Sequence, residues 1–190
     1  LAQRQTEAAV GEFEQAIKLN SRLGEPHLGL GLAYMRQGKT EEALKEVATA
    51  VLLDPQRSSF HSYWGKMLHQ IKRFDKALEV LERARTLDPR DPTPLFYKAI
   101  VLRDLFQPGK AVQAFNEAIA LNNNRAVYRS RFLLDQDLAA RNVNLVSLYN
   151  QLGLNAWARN KALASIKTDY ANFDGHLFYA GSLLGLEGRS

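Results

Sequence analysis

The sequence has no cysteine, which excludes disulfides and thiolate-held metals and is compatible with any redox compartment. No window approaches the roughly 18 consecutive apolar residues that a membrane-crossing helix needs, so no direct membrane span is expected. A leader is not visible either. The chain opens LAQRQTEAAVGEFEQA, without an initiator Met, and this opening already has the pattern of an amphipathic helix. It is the opening expected of a fragment or a processed chain. A strong charge of one sign is missing too. Lysine and arginine number 25 against 20 acidic residues, a net charge of 25 − 20 = +5, and the basic residues are spread rather than blocked. A solvated surface is therefore expected. Nucleic acid is not an expected partner, because electrostatic capture needs a concentrated stripe.

The sequence signatures of catalysis are also missing. There is no HExxH, no GxSxG, no phosphate loop and no Gly-rich dinucleotide turn. The glycines of GLGLAYMRQG, at Gly29–Gly38, fall inside a helical pattern. The acidic pair Glu41–Glu42 falls in the first turn of a predicted helix, where the helix dipole favours it. No catalytic residue, metal site or cofactor is expected, and the chain is read as a non-enzyme.

What the sequence does contain is a beat. ALKEVATAVLLDP at Ala43–Pro55 returns as ALEVLERARTLDP at Ala77–Pro89 and again as AVQAFNEAIALNN at Ala111–Asn123, with a period of 34 residues. Three full repeats follow, 24–57, 58–91 and 92–125. The second half of each carries small–large–small residues: Ala43, Val47, Ala50; Ala77, Leu81, Ala84; Ala111, Phe115, Ala118. Steps of four and three put each trio on one helix face, where the small residues admit a neighbouring helix. The first halves are helical in pattern too, around Leu30–Gly31–Tyr34, Trp64–Gly65–Leu68 and Lys98–Ala99–Leu102. Polar turns QGKTEE, IKRFDK and FQPGKA separate the halves, with Thr40 and Asp75 expected as N-caps. Pro55 and Pro89 stop the second helices, and Ser58 and Asp91 stand where the next helices begin.

These residues resemble the tetratricopeptide repeat family, whose unit has the same length. The resemblance implies an all-α fold, a right-handed α-solenoid of stacked antiparallel helix pairs. Ala9, Phe13 and Ala16 carry the second-helix signature, so residues 1–23 read as a half repeat. After residue 125 the beat is delayed by an insertion, 126–138. It then resumes as a divergent repeat, 139–172, with Leu145, Val146 and Tyr149, then Ala158, Ala162 and Ser165. A terminal half repeat, 173–190, has Tyr179, Ala180 and Leu183. Leucine spacing across the join predicts a long helix from about Phe132 to Leu152, preceded by an irregular NNNRAVYRSR link. His27, His61 and His176 recur at the fourth position of their repeats, which predicts a structural role for them.

The resemblance further implies that first helices line a concave groove. The residues it places there are Leu28, Leu32, Met35 and Arg36 in one repeat, Lys66 and His69 in the next, and Phe96, Ile100 and Arg103 in the third. Apolar anchors with basic groups between them suit an extended or helical peptide or protein ligand with some acidic character. The expected function is therefore a protein-interaction scaffold. The family's carboxylate clamp needs Lys and Asn where Leu28 and Leu32 stand, so a chaperone-tail clamp is not expected. Residues 121–186, through YRSR, LLDQDLAARN and LYNQLG, resemble bacterial envelope proteins in which such an array precedes an outer-membrane barrel. That likeness implies a periplasmic role in export or assembly. A self-associating module, stacking through uncapped ends, and a polysaccharide-export module are the alternatives.

Overall fold

The computed structural model describes residues 2–121 and 134–187. These form ten helices, and no strand occurs among the described residues: α1 (Ala2–Leu19), α2 (Gly24–Arg36), α3 (Thr40–Leu53), α4 (Ser58–Gln70), α5 (Phe74–Leu87), α6 (Pro92–Asp104), α7 (Pro108–Ala120), α8 (Leu134–Gln151), α9 (Asn155–Thr168) and α10 (Phe173–Glu187). The fold is all-α, as the periodicity predicts. It divides into two compact units, Leu1–Pro89 and Arg90–Ser190.

One turn chemistry closes every complete hairpin. Gly38, Lys72, Phe106 and Gly153 hold φ values of 75°, 61°, 57° and 71°, the left-handed conformation that ends a helix. The N–H of the following residue then reaches back across the helix end. Lys39 donates to the carbonyl of Tyr34 at 3.0 Å, Arg73 to Leu68 at 2.9 Å, Gln107 to Leu102 at 2.9 Å and Leu154 to Tyr149 at 2.8 Å. This backbone closure corrects the expected caps. Lys39 and Arg73, not Thr40 and Asp75, stand at the N-cap positions of α3 and α5, and neither helix has a side-chain cap. The turn delivers the chain directly into the helix, so each cap lies one or two residues earlier than expected. Asp91 is a true cap, its carboxylate accepting from the N–H of Thr93 at 2.8 Å.

In the first unit, α2 pairs with α3 and α4 with α5, while α1 packs on α2. The small residues act as expected. A Cβ at Gly31 would lie 2.6 Å from Val47 Cγ2 and 2.9 Å from the Ala43 carbonyl, and one at Gly65 would lie 2.5 Å from Leu81 Cγ. Glycine at these two positions lets the paired helices touch backbone to side chain. Ala43, Val47 and Met67 form one fully buried cluster, and Ala50, Val51 and Phe60 form another. Burial of this kind contributes about 25 cal/mol per Å² of apolar surface.

In the second unit, α6 pairs with α7 and α8 with α9, and α10 packs on α9 and α8. Ala111, Phe115, Ala118, Ala158, Ala162 and Ser165 are buried as the repeat pattern requires. Helix α8 has 18 residues against 13 in α2, α4 and α6, and it begins ahead of Ala139, the first residue of the divergent repeat. The expected NNNRAVYRSR link, the start at Phe132 and most of the 126–138 insertion lie outside the described residues.

Candidate partner-binding site

The first question for any site is which polar groups are free for a ligand. Three histidines are committed to the backbone. His27 Nε2 lies 3.3 Å from the carbonyl of Ser21, His61 Nε2 2.9 Å from that of Pro55, and His176 Nε2 2.8 Å from that of Tyr170. Each ring reaches six residues back, to a carbonyl near the end of the preceding repeat. His27 also places Nδ1 2.7 Å from Glu46 Oε2. The structural role predicted for the three therefore has a definite form, a bridge from one repeat to the one before it. Among the described residues no three side chains converge as a metal site. No helix among them is long and apolar enough to cross a membrane.

The residues assigned to the groove are not equivalent in the structure. Leu28, Leu32 and Met35 are half-buried and pack around Ala43, Val47 and Met67. Arg36 is exposed. Lys66 and His69 are half-buried on α4, with the His69 ring 5.7 Å from that of Phe74. In the second unit, Phe96 meets Phe115 edge-on at 5.7 Å and lies beneath the Arg141 guanidinium at 5.1 Å. Ile100 is half-buried. Arg103 binds Asp104 through Nε at 2.9 Å and Asn144 at 3.2 Å, tying α6 to α8. Packing between helices thus claims part of Leu28, Leu32, Met35 and Phe96.

Two of these residues meet in an open cavity of about 970 Å³ in the first unit. Its walls are Thr6, Glu7, Ala9 and Phe13 of α1, Gly29, Leu32, Ala33 and Arg36 of α2, and Gln37 and Lys39 of the turn. The floor is apolar, with the Phe13 ring seated over Gly29, where a Cβ would collide with it. Arg36 and Lys39 give the rim positive charge, and the Lys39 ammonium also sits 5.2 Å from the Tyr34 ring centre. Gln37 Oε1 is buried with no hydrogen-bond partner among the described residues, so the wall holds an acceptor ready for a donor. Leu32 and Arg36 are the residues assigned from the sequence that line this cavity, and Phe13, Ala33 and Lys39 line it without having been assigned. The signal for Phe13 was its place in the second-helix trio Ala9–Phe13–Ala16.

The description "Tetratricopeptide repeat" belongs to the family whose model matches residues 1–59, 28–92 and 70–126. No curated protein matches the chain. Among solved structures, a thermophilic repeat protein of Thermus thermophilus is 22% identical, covering 96% of this chain and 93% of that one, with a TM-score of 0.79. The anaphase-promoting-complex hetero-tetramer Cut9–Hcn1 is similar at 19% identity and TM-score 0.81, over 96% of this chain and 34% of the other. YrrB, described as a protein of this repeat class with an unusual peptide-binding site, is 18% identical with a TM-score of 0.62, covering 94% of this chain and 85% of its own. At these identities the likeness establishes the fold. With family matches running through residues 1–126 of the 190, the chain belongs to the tetratricopeptide repeat family.

Proposed function

We propose that the chain is a non-catalytic scaffold that holds a helical segment of a partner protein, and that the cavity between α1 and α2 is its principal site in the first unit. Members of this family generally mediate protein–protein interaction, and the fold is typically a non-enzymatic scaffold. The observation that carries the reading is the cavity itself, with an apolar floor at Phe13, Leu32 and Ala33 and a basic rim at Arg36 and Lys39. Such a surface favours a helix with one apolar stripe and acidic flanks. YrrB, a peptide binder by its description, supports a peptide as the ligand class. The resemblance of residues 121–186 to envelope proteins directs the search for that partner to bacterial export components.

The test uses a fluorescein-labelled amphipathic helix with Ala and Leu three residues apart on one face and glutamates beside them. Anisotropy should rise to saturation on titration with the intact chain. Arg36→Glu should weaken binding by about fivefold, the scale of one exposed charge contact. Ala33→Trp, which fills the cavity, should abolish it. Binding indifferent to both changes would place the ligand elsewhere.

A further inference from the structure

The complete hairpins expose the same turn positions but fill them differently. The fifteenth position of each repeat is exposed at Gly38, Lys72, Phe106 and Gly153, and the nineteenth at Glu42, Lys76, Lys110 and Trp157. This exposure belongs to the repeat itself. Gly38 and Glu42 are exposed in the α2–α3 hairpin, which has α1 packed on one side and α4 on the other. In the first unit the exposed sites hold glycine or charge. In the second unit they hold Phe106, 92% exposed, and Trp157, 63% exposed. Leu154 is exposed as well, where the first unit has Lys39 and Arg73. The fold gains little from these side chains. Phe106 holds a left-handed φ of 57°, which glycine would hold without strain. Trp157 meets Tyr149 edge-on at 5.9 Å and leaves most of its surface open.

Both turns lie at one end of the second unit. Arg141 of α8 lies over Phe96 at 5.1 Å, and Asn144, one turn further on, accepts from Arg103, two turns beyond Phe96. Helices α6 and α8 therefore run the same way, and the turns that follow them emerge together. The charge around them has one sign. Lys110 is exposed in the first turn of α7, and Lys161 follows Trp157 by one turn on the same side of α9. Neither 105–116 nor 138–168 contains an acidic residue. Helices α3 and α5 begin with Glu41, Glu42 and Asp75, whereas α7 and α9 have no acid in their first turns. The nearest acid before Phe106 is Asp104, which Arg103 binds at 2.9 Å.

We propose that this end of the second unit docks on an anionic lipid surface. Phe106, Leu154 and Trp157 enter the headgroup region, and Lys110 and Lys161 face lipid phosphates. Aromatic side chains, tryptophan above all, suit the boundary between headgroups and acyl chains. Basic residues beside them are drawn to a negatively charged leaflet. A fluid surface accepts side chains from two separate turn tips without having to be shaped to both. The proposal is independent of the α1–α2 cavity, which belongs to the first unit.

Co-sedimentation of the intact chain with sucrose-loaded vesicles tests this. Vesicles of mixed phosphatidylglycerol and phosphatidylcholine should carry the chain down, less so as salt rises. Phosphatidylcholine alone should carry down much less. Trp64→Phe leaves Trp157 as the one tryptophan. Its emission should then move to shorter wavelength and resist acrylamide when the anionic vesicles are added. Phe106→Gly and Trp157→Glu, the second a residue type the repeat already holds at Glu42, should each weaken binding by about tenfold or more. Phe106→Gly removes backbone strain, so a loss of binding there is not a loss of fold. No binding to anionic vesicles, binding unaltered by both substitutions, or an unshifted Trp157 emission on bound vesicles would each overturn the proposal. If vesicles are ignored while the labelled acidic helix loses affinity through Trp157→Glu, this surface takes a protein and the lipid reading falls.

Discussion

The hydroxyl of Ser58 donates to the carbonyl of Ala84 at 2.9 Å, and the hydroxyl of Ser165 donates to that of Ala139 at 3.1 Å. Both bonds join the first position of a repeat to its twenty-seventh, but in opposite directions. The repeat at 58–91 donates from its start, and the divergent repeat donates from its second helix. Each bond pins the first position of the repeat to the last turns of the second helix. Ser58→Ala and Ser165→Ala should each cost about 1 kcal/mol, the usual net value of one such bond. Chemical denaturation of the two variants checks this, with the m-value unchanged.

Close approach at the eighth position is more costly to disturb. Gly31→Ala would press a methyl group into Val47 and the Ala43 carbonyl at the distances given above, and the carbonyl belongs to a helix that cannot yield alone. Ala84→Leu would add three carbons at a site with no exposed surface. Each substitution should destabilise the fold by about 1–3 kcal/mol through overpacking. An unchanged melting temperature for either would contradict the repeat register.

Phe106 should behave in the opposite sense. It holds φ 57° at the α6–α7 turn and is 92% exposed, so its ring contributes little packing against the strain of a left-handed residue. That strain costs about 1–2 kcal/mol for a residue with a side chain. Glycine removes it and returns about 0.5–1 kcal/mol through the unfolded chain. Phe106→Gly should therefore be stabilising, by up to about 1 kcal/mol, read as a raised midpoint in urea.

Tyr34 carries a pH dependence. Its phenol ionises above the usual 10.0, held there first by partial burial and then by the hydrogen bond it donates to Glu14 at 3.1 Å, with Glu14, Glu46 and Glu42 adding negative charge nearby. The raised value means the folded chain keeps a proton that the unfolded chain releases near pH 10.0. The stabilisation is fully present below that pH and is lost as pH rises through the folded value. Difference absorbance in the near ultraviolet between the chain and Tyr34→Phe isolates this phenol. Glu14→Gln should lower its midpoint.

The small–large–small trios were legible because burial acts on them at fixed spacing. Ala43, Val47 and Ala50 are buried for the reason their order implies. The turns were less legible. Gly38 and Gly153 announce a left-handed residue, but Lys72 and Phe106 do the same work without glycine, so backbone closure at those turns left no mark in composition. Thr40 and Asp75 looked like caps because their side chains suit the task, and the turn makes that task unnecessary. What the sequence did not disclose is how far helix packing takes up the residues assigned to a groove. Leu28 and Phe96 stand on the stripe expected to face a ligand, and the packing that claims part of each comes from residues distant in sequence, Met67 and Arg141.

The hairpins also set how the chain reaches this state. Helices that pair most closely are consecutive, joined by turns closed within a few residues by backbone alone. Little chain entropy has to be lost before the first contacts form. A chain of such low contact order folds quickly and can begin at any hairpin. One emerging from a ribosome would have α2 and α3 packed before α6 had been made, and residues 126–138 would arrive after three hairpins had already closed.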